Sequence, residues 1–169
     1  MKLIEALKKV KDLARKADDL KGKVSAYCAH LSFETPTYQD QTTQVREWIQ
    51  AYGDILKEIL RLRIAIQKTN LQTQVTIELN GKAITKSIAE WIHRRRDLAA
   101  SECAVWQSLG DKGLKEGLGK NTAGETIEIR IIRCFDPKER DARIDSLRSE
   151  PLIVDSTLEV TNAVTDLIE

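Results

Sequence analysis

Two runs of apolar residues with alternating steps of three and four positions occupy the first part of the chain. The runs are Leu3, Leu7, Val10, Ala14, Ala17, Val24, Cys28 and Leu31, and then Val45, Trp48, Tyr52, Ile55, Ile59, Leu62 and Ile66. Only Lys21 breaks the first run, and a polar connector at 32–41 separates the two. This spacing places each run along one side of a long helix. Because the connector is short, we predict helices over about 2–31 and 42–69 that lie antiparallel.

A β-hairpin and a third helix are predicted next. Apolar and polar residues alternate over 75–84 on both sides of Asn80-Gly81, a pair that tolerates the positive φ angles of a type I′ turn. Ser87, followed by a glutamate three positions later, matches the capping box that begins a helix. We therefore expect the third helix to start here and to reach about Leu109.

The last third of the chain contains a glycine-rich segment, a strand and a fourth helix. Five glycines over 110–124 predict a flexible loop, and the spacings of phosphate-binding loops are absent there. Alternating isoleucines over 126–134 predict a strand that joins the hairpin in a three-stranded sheet. The Asp-Pro pair at 136–137 predicts the start of a helix that extends toward Leu167 and is kinked or split at Pro151.

Together these elements predict a mainly α fold of the α+β class, in a single domain over 1–169. It has a long antiparallel helical hairpin or coiled coil, a third and a proline-kinked fourth helix, and a small antiparallel hairpin or three-stranded sheet. A length of 169 residues suits one domain. Because long helices form a rod that buries less surface than a globule, we expect the chain to complete its core as a homo-oligomer, a dimer or larger.

The charges nearly cancel, since 27 basic and 26 acidic side chains leave a net charge of +1. This balance, without a helix-turn-helix pattern, argues against a nucleic-acid partner. No apolar run approaches the roughly 20 residues that span a bilayer, and the start is amphipathic, so we expect neither a membrane span nor a signal peptide. The three cysteines are far apart and form no CxxC pair, which favours reduced thiols and a cytoplasmic location.

Arginines on apolar helix sides are the main candidates for chemistry. At helical spacing Arg95 shares a side with Ile92 and Ala99, and Arg63 lies on the seam side of the second helix. An arginine directed at a core needs an anion, either a carboxylate or a ligand phosphate. A tryptophan face such as that of Trp91 offers a surface on which a base stacks. The candidate ligand-binding residues are Arg63, Asn70, Trp91, Arg94, Arg95, Arg96, Arg130 and Asn162.

The alternative is that these arginines pair with carboxylates of the same chain and leave no pocket. The carboxylates considered are Glu58, Glu90, Asp97 and Asp155. Chemistry beyond binding has little support, because His30 and His93 lack the spacing of metal ligands and no Ser-His-Asp order is persuasive. We therefore predict no catalytic residue, no metal site and no cofactor, and we expect that the protein is not an enzyme.

Several short motifs follow one another in a recognisable order along most of the chain, outside the glycine-rich segment. They are the opening Met1–Leu7, the end of the second helix at Lys68–Asn70, the Gly81 hairpin with Thr85, and the tail residues Ile144–Leu147, Asp155, Leu158, Asn162 and Thr165–Leu167. In this order they resemble the septicolysin-like family of small bacterial and phage-borne coiled-coil proteins. The resemblance implies a helical, oligomeric fold and says little about activity.

Two functions fit this sequence. The first is a non-enzymatic, homo-oligomeric protein that captures a small anionic, nucleotide-type ligand in arginine-lined pockets. The phage-borne members of the resembled family extend this hypothesis to a sponge that sequesters a host immune signal. The alternative is a structural or adaptor coiled-coil protein without a small-molecule ligand, in which the arginines serve protein contacts only.

Overall fold

A computed structural model describes all 169 residues and has a mainly helical fold with two small antiparallel sheets. This confirms the predicted α+β class. The elements are α1 (Leu3–Tyr27), α2 (Gln41–Gln72), β1 (Gln74–Leu79), β2 (Lys82–Ser87), α3 (Ile88–His93), α4 (Ala99–Gln107), β3 (Gly117–Lys120), β4 (Thr126–Ile129) and α5 (Pro137–Val164). A π-helical turn, Arg94–Leu98, joins α3 to α4. None of the helices combines the length and the apolar composition that a bilayer crossing requires.

Two compact units make up the chain. Unit 1 comprises Met1–Val75, Ser87–Ala89 and Leu158–Glu169, and unit 2 comprises Thr76–Lys86 and Glu90–Thr157. Unit 1 contains α1, α2 and both ends of the chain. Unit 2 contains most of the first hairpin, the π-helical turn, α4, the second hairpin and most of α5.

In unit 1, α1 and α2 lie side by side and run in opposite directions. The side-chain amide of Gln41, at the start of α2, donates to the carbonyl oxygen of Tyr27 at the end of α1 over 2.8 Å. Toward the start of α1, Lys9 Nζ lies 2.9 Å from Oε1 of Glu58, in the middle of α2. These two contacts place α1 and α2 in opposite directions.

The two predicted seams differ in how well they are covered. Every residue of the second seam is buried or half-buried. In the first seam Leu3 and Ala17 are buried, but Cys28 and Leu31 are exposed because α1 ends at Tyr27, earlier than predicted. The packing role expected for Cys28 from its seam position is therefore wrong.

Both ends of the chain are fastened to unit 1. The backbone N–H of Leu3 donates to the carbonyl oxygen of Thr165, and that of Leu167 donates to the carbonyl oxygen of Met1, each over 2.9 Å. Further in, the fully buried hydroxyl of Thr69 accepts from the backbone N–H of Ile168 over 2.9 Å. The same hydroxyl donates to a carbonyl oxygen one turn back in α2. The Thr69 side chain thus links the C-terminal tail to α2.

Replacing Thr69 by valine keeps the shape of the side chain and removes both of these hydrogen bonds. We expect Thr69→Val to lower the free energy of unfolding by about 1–2 kcal/mol, because the Ile168 N–H loses its acceptor. Urea denaturation measures the loss, and hydrogen exchange should quicken at Ile168. Thr42→Val, at an exposed position in the first turn of α2, is the control and should change stability by about 0.5 kcal/mol or less. Equal losses in the two variants would contradict the anchoring role.

The first hairpin has the predicted turn, and the second was not expected. Asn80 and Gly81 have φ angles of 54° and 72°, as a type I′ turn requires. β3 and β4 form a separate two-stranded antiparallel sheet. The predicted three-stranded sheet is therefore wrong, the predicted strand over 126–134 ends at Ile129, and the predicted flexible loop over 110–124 contains β3.

The local geometry explains this second hairpin. The side-chain oxygen of Asn121 accepts from the backbone N–H groups of Ala123 and Glu125, each over 3.0 Å, and folds the chain back on itself. At Gly119 a Cβ atom would lie only 2.2 Å from the side chain of Ile129 on the facing strand. A glycine-rich strand therefore pairs closely with β4, even though it lacks the apolar alternation by which strands are recognised in sequence.

α5 begins as predicted and continues through Pro151 without a break. Asp136 caps it by accepting from the backbone N–H of Lys138 over 2.9 Å, and Pro137 is its first residue. The helix passes through Pro151 and ends at Val164, so the predicted split is wrong. A proline removes one backbone hydrogen bond. Buried side chains before and after it, including Glu150 and Val154, hold the helix against its neighbours.

Candidate functional site

A cleft of about 620 Å³ lies within unit 2, between one face of β2 and one side of α5. Alternation along the strand places Lys82, Ile84 and Lys86 on the face that lines the cleft. Facing them, residues spaced by three and four positions along α5 line the opposite wall. They include Glu139, Arg143, Ser146, Leu147 and Glu150. The side-chain amide of Asn80, in the hairpin turn, joins the two walls through a 2.6 Å hydrogen bond to the Ser146 hydroxyl.

An ion-pair cluster centred on Arg94 forms the base of the cleft. The guanidinium binds Glu150 with two hydrogen bonds, from Nε to Oε1 at 2.5 Å and from Nη2 to Oε2 at 3.0 Å. Its third nitrogen lies 2.6 Å from Glu102 Oε2. The Glu150 side chain is only 6% exposed. Hydrogen bonding to Glu150, above all, raises the pKa of Arg94. This arginine is therefore occupied by carboxylates of its own chain.

A π-helical turn that begins at Arg94 keeps the residues before and after it on one buried side of the helix. The backbone N–H of Ala99 bonds to the carbonyl oxygen of Arg94, five residues earlier, so this turn holds one residue more than an α-helical turn. In an uninterrupted α-helix Trp91 and Ala99 would lie about 80° apart around the axis, and the extra residue reduces this to about 20°. Both are buried. Arg95 lies at nearly the same angle as Trp91, but its side chain is exposed and pairs with Asp155, so the prediction that it faces the core is wrong.

Three cations on the walls of the cleft form no ion pair. They are Lys82, Lys86 and Arg143. The Lys86 ammonium lies 5.7 Å from the centre of the Trp91 ring, and the Arg143 guanidinium lies 5.8 Å from the centre of the Trp106 ring. Aromatic rings hold a cation in place without neutralising its charge. The arrangement is therefore able to receive an anion between the strand and the helix.

Carboxylates limit how much negative charge the cleft accepts. Its lining contains four cations and three carboxylates, of which two carboxylates are bound to Arg94. The third, Glu139, is exposed and lines the α5 wall. A ligand with one localised anionic group suits this distribution better than a polyanion, because the group can sit near β2 and away from Glu139.

Two of the eight predicted site residues, Trp91 and Arg94, line this cleft. Trp91 is only 1% exposed, so its ring is a core side chain and leaves no free face for a base. The stacking role predicted for it is therefore wrong. Arg94 lines the cleft, but its partners are Glu150 and Glu102 rather than a ligand.

The other six predicted residues lie elsewhere. Three pair with carboxylates in unit 2: Arg95 with Asp155, Arg96 with Asp97 and Arg130 with Glu128. Arg63, Asn70 and Asn162 belong to unit 1. Arg63 is exposed, contrary to its predicted seam position, whereas Asn70 and Asn162 are half-buried. The side-chain oxygen of Asn162 is buried without a hydrogen-bond partner. Most of these arginines thus follow the alternative prediction, in which carboxylates of the same chain neutralise them.

The unpaired cations of the cleft were missed because they belong to weak sequence patterns. Lys82 and Lys86 share one face of β2 with Ile84, and the sequence pattern of this strand was used only to predict a hairpin. Arg143 lies on α5, 57 positions after Lys86 in the sequence. The two lysines, four positions apart on one strand, were the available signal, since such residues share a face.

Comparisons with known proteins give a family and no function. A model described as "Family of unknown function (DUF6847)" matches residues 10–167, which include the whole cleft. No curated protein matches the chain, and no solved structure matches it. The resemblance to septicolysin-like proteins stays a prediction. No group of three or more histidine, cysteine, aspartate or glutamate side chains is placed to hold a metal ion.

Proposed function

The chain belongs to the DUF6847 family, and we propose that it is a non-enzymatic binding protein whose unit 2 cleft captures a small anionic ligand of the nucleotide type. The observation that carries the proposal is the set of three cations without ion pairs on the walls of one cleft, Lys82, Lys86 and Arg143. Lysine and arginine side chains in such a position form strong, charge-assisted hydrogen bonds with phosphate oxygens. The site therefore differs from the arginine-lined pocket expected from the sequence.

The size and lining of the cleft suit a ligand with one charged end and one less polar end. Its volume of about 620 Å³ falls in the usual range for small-molecule sites, roughly 300–1,000 Å³. Apolar side chains of Leu79, Ile84 and Leu147 lie alongside the cations. An anionic group would contact the lysines of β2 and Arg143, while the remainder of the ligand would pack against these aliphatic side chains. The Arg94 cluster would support the site from below without touching the anion.

The proposal includes two wider roles, sequestration of a signalling ligand and assembly into a homo-oligomer. A protein that binds such a ligand without changing it would lower the free concentration of the ligand, which is what a sponge for a host immune signal does. Homo-oligomerisation and coiled-coil packing of α1 on α2 would raise the local number of sites and stabilise the long helices. Sequestration and homo-oligomerisation are hypotheses from the sequence, and the following experiment tests the oligomeric state alongside binding.

Calorimetry should detect binding of a phosphate-bearing small molecule, and Lys86→Ala should weaken it at least tenfold. The reason is that Lys86 is half-buried beside Trp91 and has no competing carboxylate. The probes are inorganic phosphate, pyrophosphate, and mono-, di- and cyclic nucleotides. A tenfold loss corresponds to about 1.4 kcal/mol. Light scattering on the same samples gives the oligomeric state.

Lys115→Ala is the matched control, since Lys115 is an exposed lysine of unit 2 that does not line the cleft. It should bind as tightly as the unaltered chain. The ligand should be recovered chemically unchanged after incubation, because the proposal is capture and not conversion. Absence of binding by every probe, or equal affinity in the Lys86→Ala and Lys115→Ala variants, would refute the assignment of the cleft.

The adaptor function is the second candidate, and one observation favours it. α2 carries five exposed large aliphatic side chains on a side of the helix away from its buried seam. Such a surface is common where proteins bind one another. The arginine–carboxylate pairs of unit 2 agree with this candidate too, because they leave fewer cations free for a ligand.

A further inference from the structure

A second apolar side runs along α2, and we call it the α2 stripe. It consists of Ile49, Leu56, Leu60, Ile64 and Leu71. Each of these side chains is between 45% and 65% exposed. Steps of seven, four, four and seven positions keep all five within an arc of about 80°, and the stripe is about 33 Å long. Its centre lies about 110° around the helix from the seam that packs on α1. No element of unit 1 covers it.

Positive charge flanks the α2 stripe. Arg46, Arg63 and Lys68 are exposed, form no ion pair and lie within about 80° of the centre of the stripe. The carboxylates of α2 lie further around the helix, about 120–160° away, and are engaged on that side. Of these, Glu58 binds Arg61 and Lys9, and Asp54 binds Lys57. The stripe is thus an apolar strip between basic edges.

Gly53 lies on the α2 stripe between Ile49 and Leu56, near its N-terminal end. A Cβ atom at this position would meet nothing within 4 Å, so no contact inside the chain requires a glycine there. A glycine inside a helix is less stable than alanine by about 1 kcal/mol. The missing side chain leaves a dent in the surface, where the backbone of another helix can approach closely or a large side chain can fit.

We infer that the α2 stripe is the docking surface for an amphipathic helix of another protein, one whose own apolar seam is flanked by acidic residues. The heptad-like steps and the narrow arc match the seam of a helix pair. The unpaired cations on its edges would meet the acidic flanks of the partner. This surface lies on α2 and is independent of the cleft proposed above.

The same observations disfavour two other occupants. In an antiparallel pair of two copies, centred on the middle of the stripe, Lys57 would face Arg63 of the other copy, and like charges repel. An anionic membrane surface would also attract the basic edges. Helices that lie on membranes, however, usually present a broader apolar side with tryptophan or tyrosine near the headgroups, and the stripe contains neither.

The test uses the full chain and two synthetic helical peptides of about four heptads. Both peptides carry leucine at the a and d positions, and the e and g positions are all glutamate in one and all lysine in the other. We expect the glutamate peptide to bind in fluorescence anisotropy and the lysine peptide to bind at least tenfold more weakly. Added salt should reduce the affinity for the glutamate peptide, because charge contributes to it.

Variants locate the binding on the stripe. Leu60→Glu should weaken binding of the glutamate peptide at least tenfold, and Gly53→Met should weaken it several-fold by filling the dent. Leu114→Glu, at a leucine 63% exposed in unit 2, is the matched control and should bind normally. Circular dichroism should show unchanged helix content in all three. Lys86→Ala should also bind the peptide normally, which separates this inference from the proposal for the cleft.

Each contrary result overturns the inference in a specific way. No binding of the glutamate peptide, or equal binding of the two peptides, would refute the acidic helical partner. A dimer in sedimentation experiments that dissociates in Leu60→Glu would assign the stripe to a second copy of the chain. Binding to phosphatidylserine vesicles that is lost in Leu60→Glu, without peptide binding, would assign it to a membrane surface.

Discussion

Arg94→Ala is expected to lower the free energy of unfolding by about 3–5 kcal/mol, because it leaves Glu150 charged and buried without a partner. Glu150 is nearly inaccessible to water and receives two hydrogen bonds from Arg94. Water cannot easily replace them at the base of the cleft. Urea or guanidinium denaturation followed by circular dichroism measures the loss.

Two further variants distinguish the cost of an unpaired charge from the value of the pair itself. The double substitution Arg94→Met with Glu150→Leu removes both charges and should recover most of the loss, since apolar residues of similar size often replace a buried ion pair without cost. Arg95→Ala is the control, because Arg95 and Asp155 are both substantially exposed. It should cost about 1 kcal/mol or less. If Arg94→Ala costs no more than Arg95→Ala, Glu150 does not depend on Arg94 as described.

Trp91→Ala is expected to lower the free energy of unfolding by about 3–5 kcal/mol, through the large cavity that it leaves. Trp91 is the largest of the fully buried side chains and belongs to the stretch of helix just before the π-helical turn. Its loss would also remove the ring that faces the Lys86 ammonium. Thermal and chemical denaturation both report the change.

Trp106→Ala provides the comparison, since Trp106 is only half-buried and should cost clearly less. Trp91→Phe keeps a ring in the core, should cost less than Trp91→Ala, and should leave binding of an anionic probe nearly unchanged. That last result separates a packing role from base stacking. A small effect of Trp91→Ala on stability, together with a strong effect of Trp91→Phe on binding, would instead restore the stacking role predicted from the sequence.

Features that depend on a few neighbouring residues were predictable from the sequence. The turn at Asn80-Gly81 requires only two residues that tolerate a positive φ angle, and both residues adopt one. The cap at Asp136 is likewise local, because it involves the backbone N–H two residues later. The pairing of α1 with α2 follows from two long apolar seams and a connector too short for any other arrangement.

Features that depend on distant partners were not predictable in the same way. Arg94 and Glu150 lie 56 positions apart in the sequence, and nothing in the local pattern of either residue indicates the other. Periodicity placed Arg95 on the apolar side of its helix, but periodicity gives only an angle around the axis and not whether another element covers that side. The π-helical turn was also not predictable, because one extra residue in so short a segment barely changes the hydrophobic periodicity.

The second hairpin shows a further limit of pattern reading. β3 is mostly glycine and lysine, and its pairing with β4 rests on the Asn121 turn and on the close approach that Gly119 permits. Glycine-rich segments favour flexible loops on composition alone. Here backbone hydrogen bonds to β4 hold the glycine-rich segment in a strand. The residues of β4 were instead predicted from the sequence to pair with the first hairpin.

The extra residue in the turn between α3 and α4 has a consequence for comparing sequences within the family. A chain one residue shorter over 94–98 would form an ordinary α-helix there and still keep Trp91 and Ala99 on the same side. Relatives aligned to this chain should therefore tolerate a single-position gap at this point, which elsewhere in a packed helix would rotate everything downstream by about 100°. Residues before the gap keep their angle to Trp91, so the residue matched to Arg94 should still enter the cleft in such relatives.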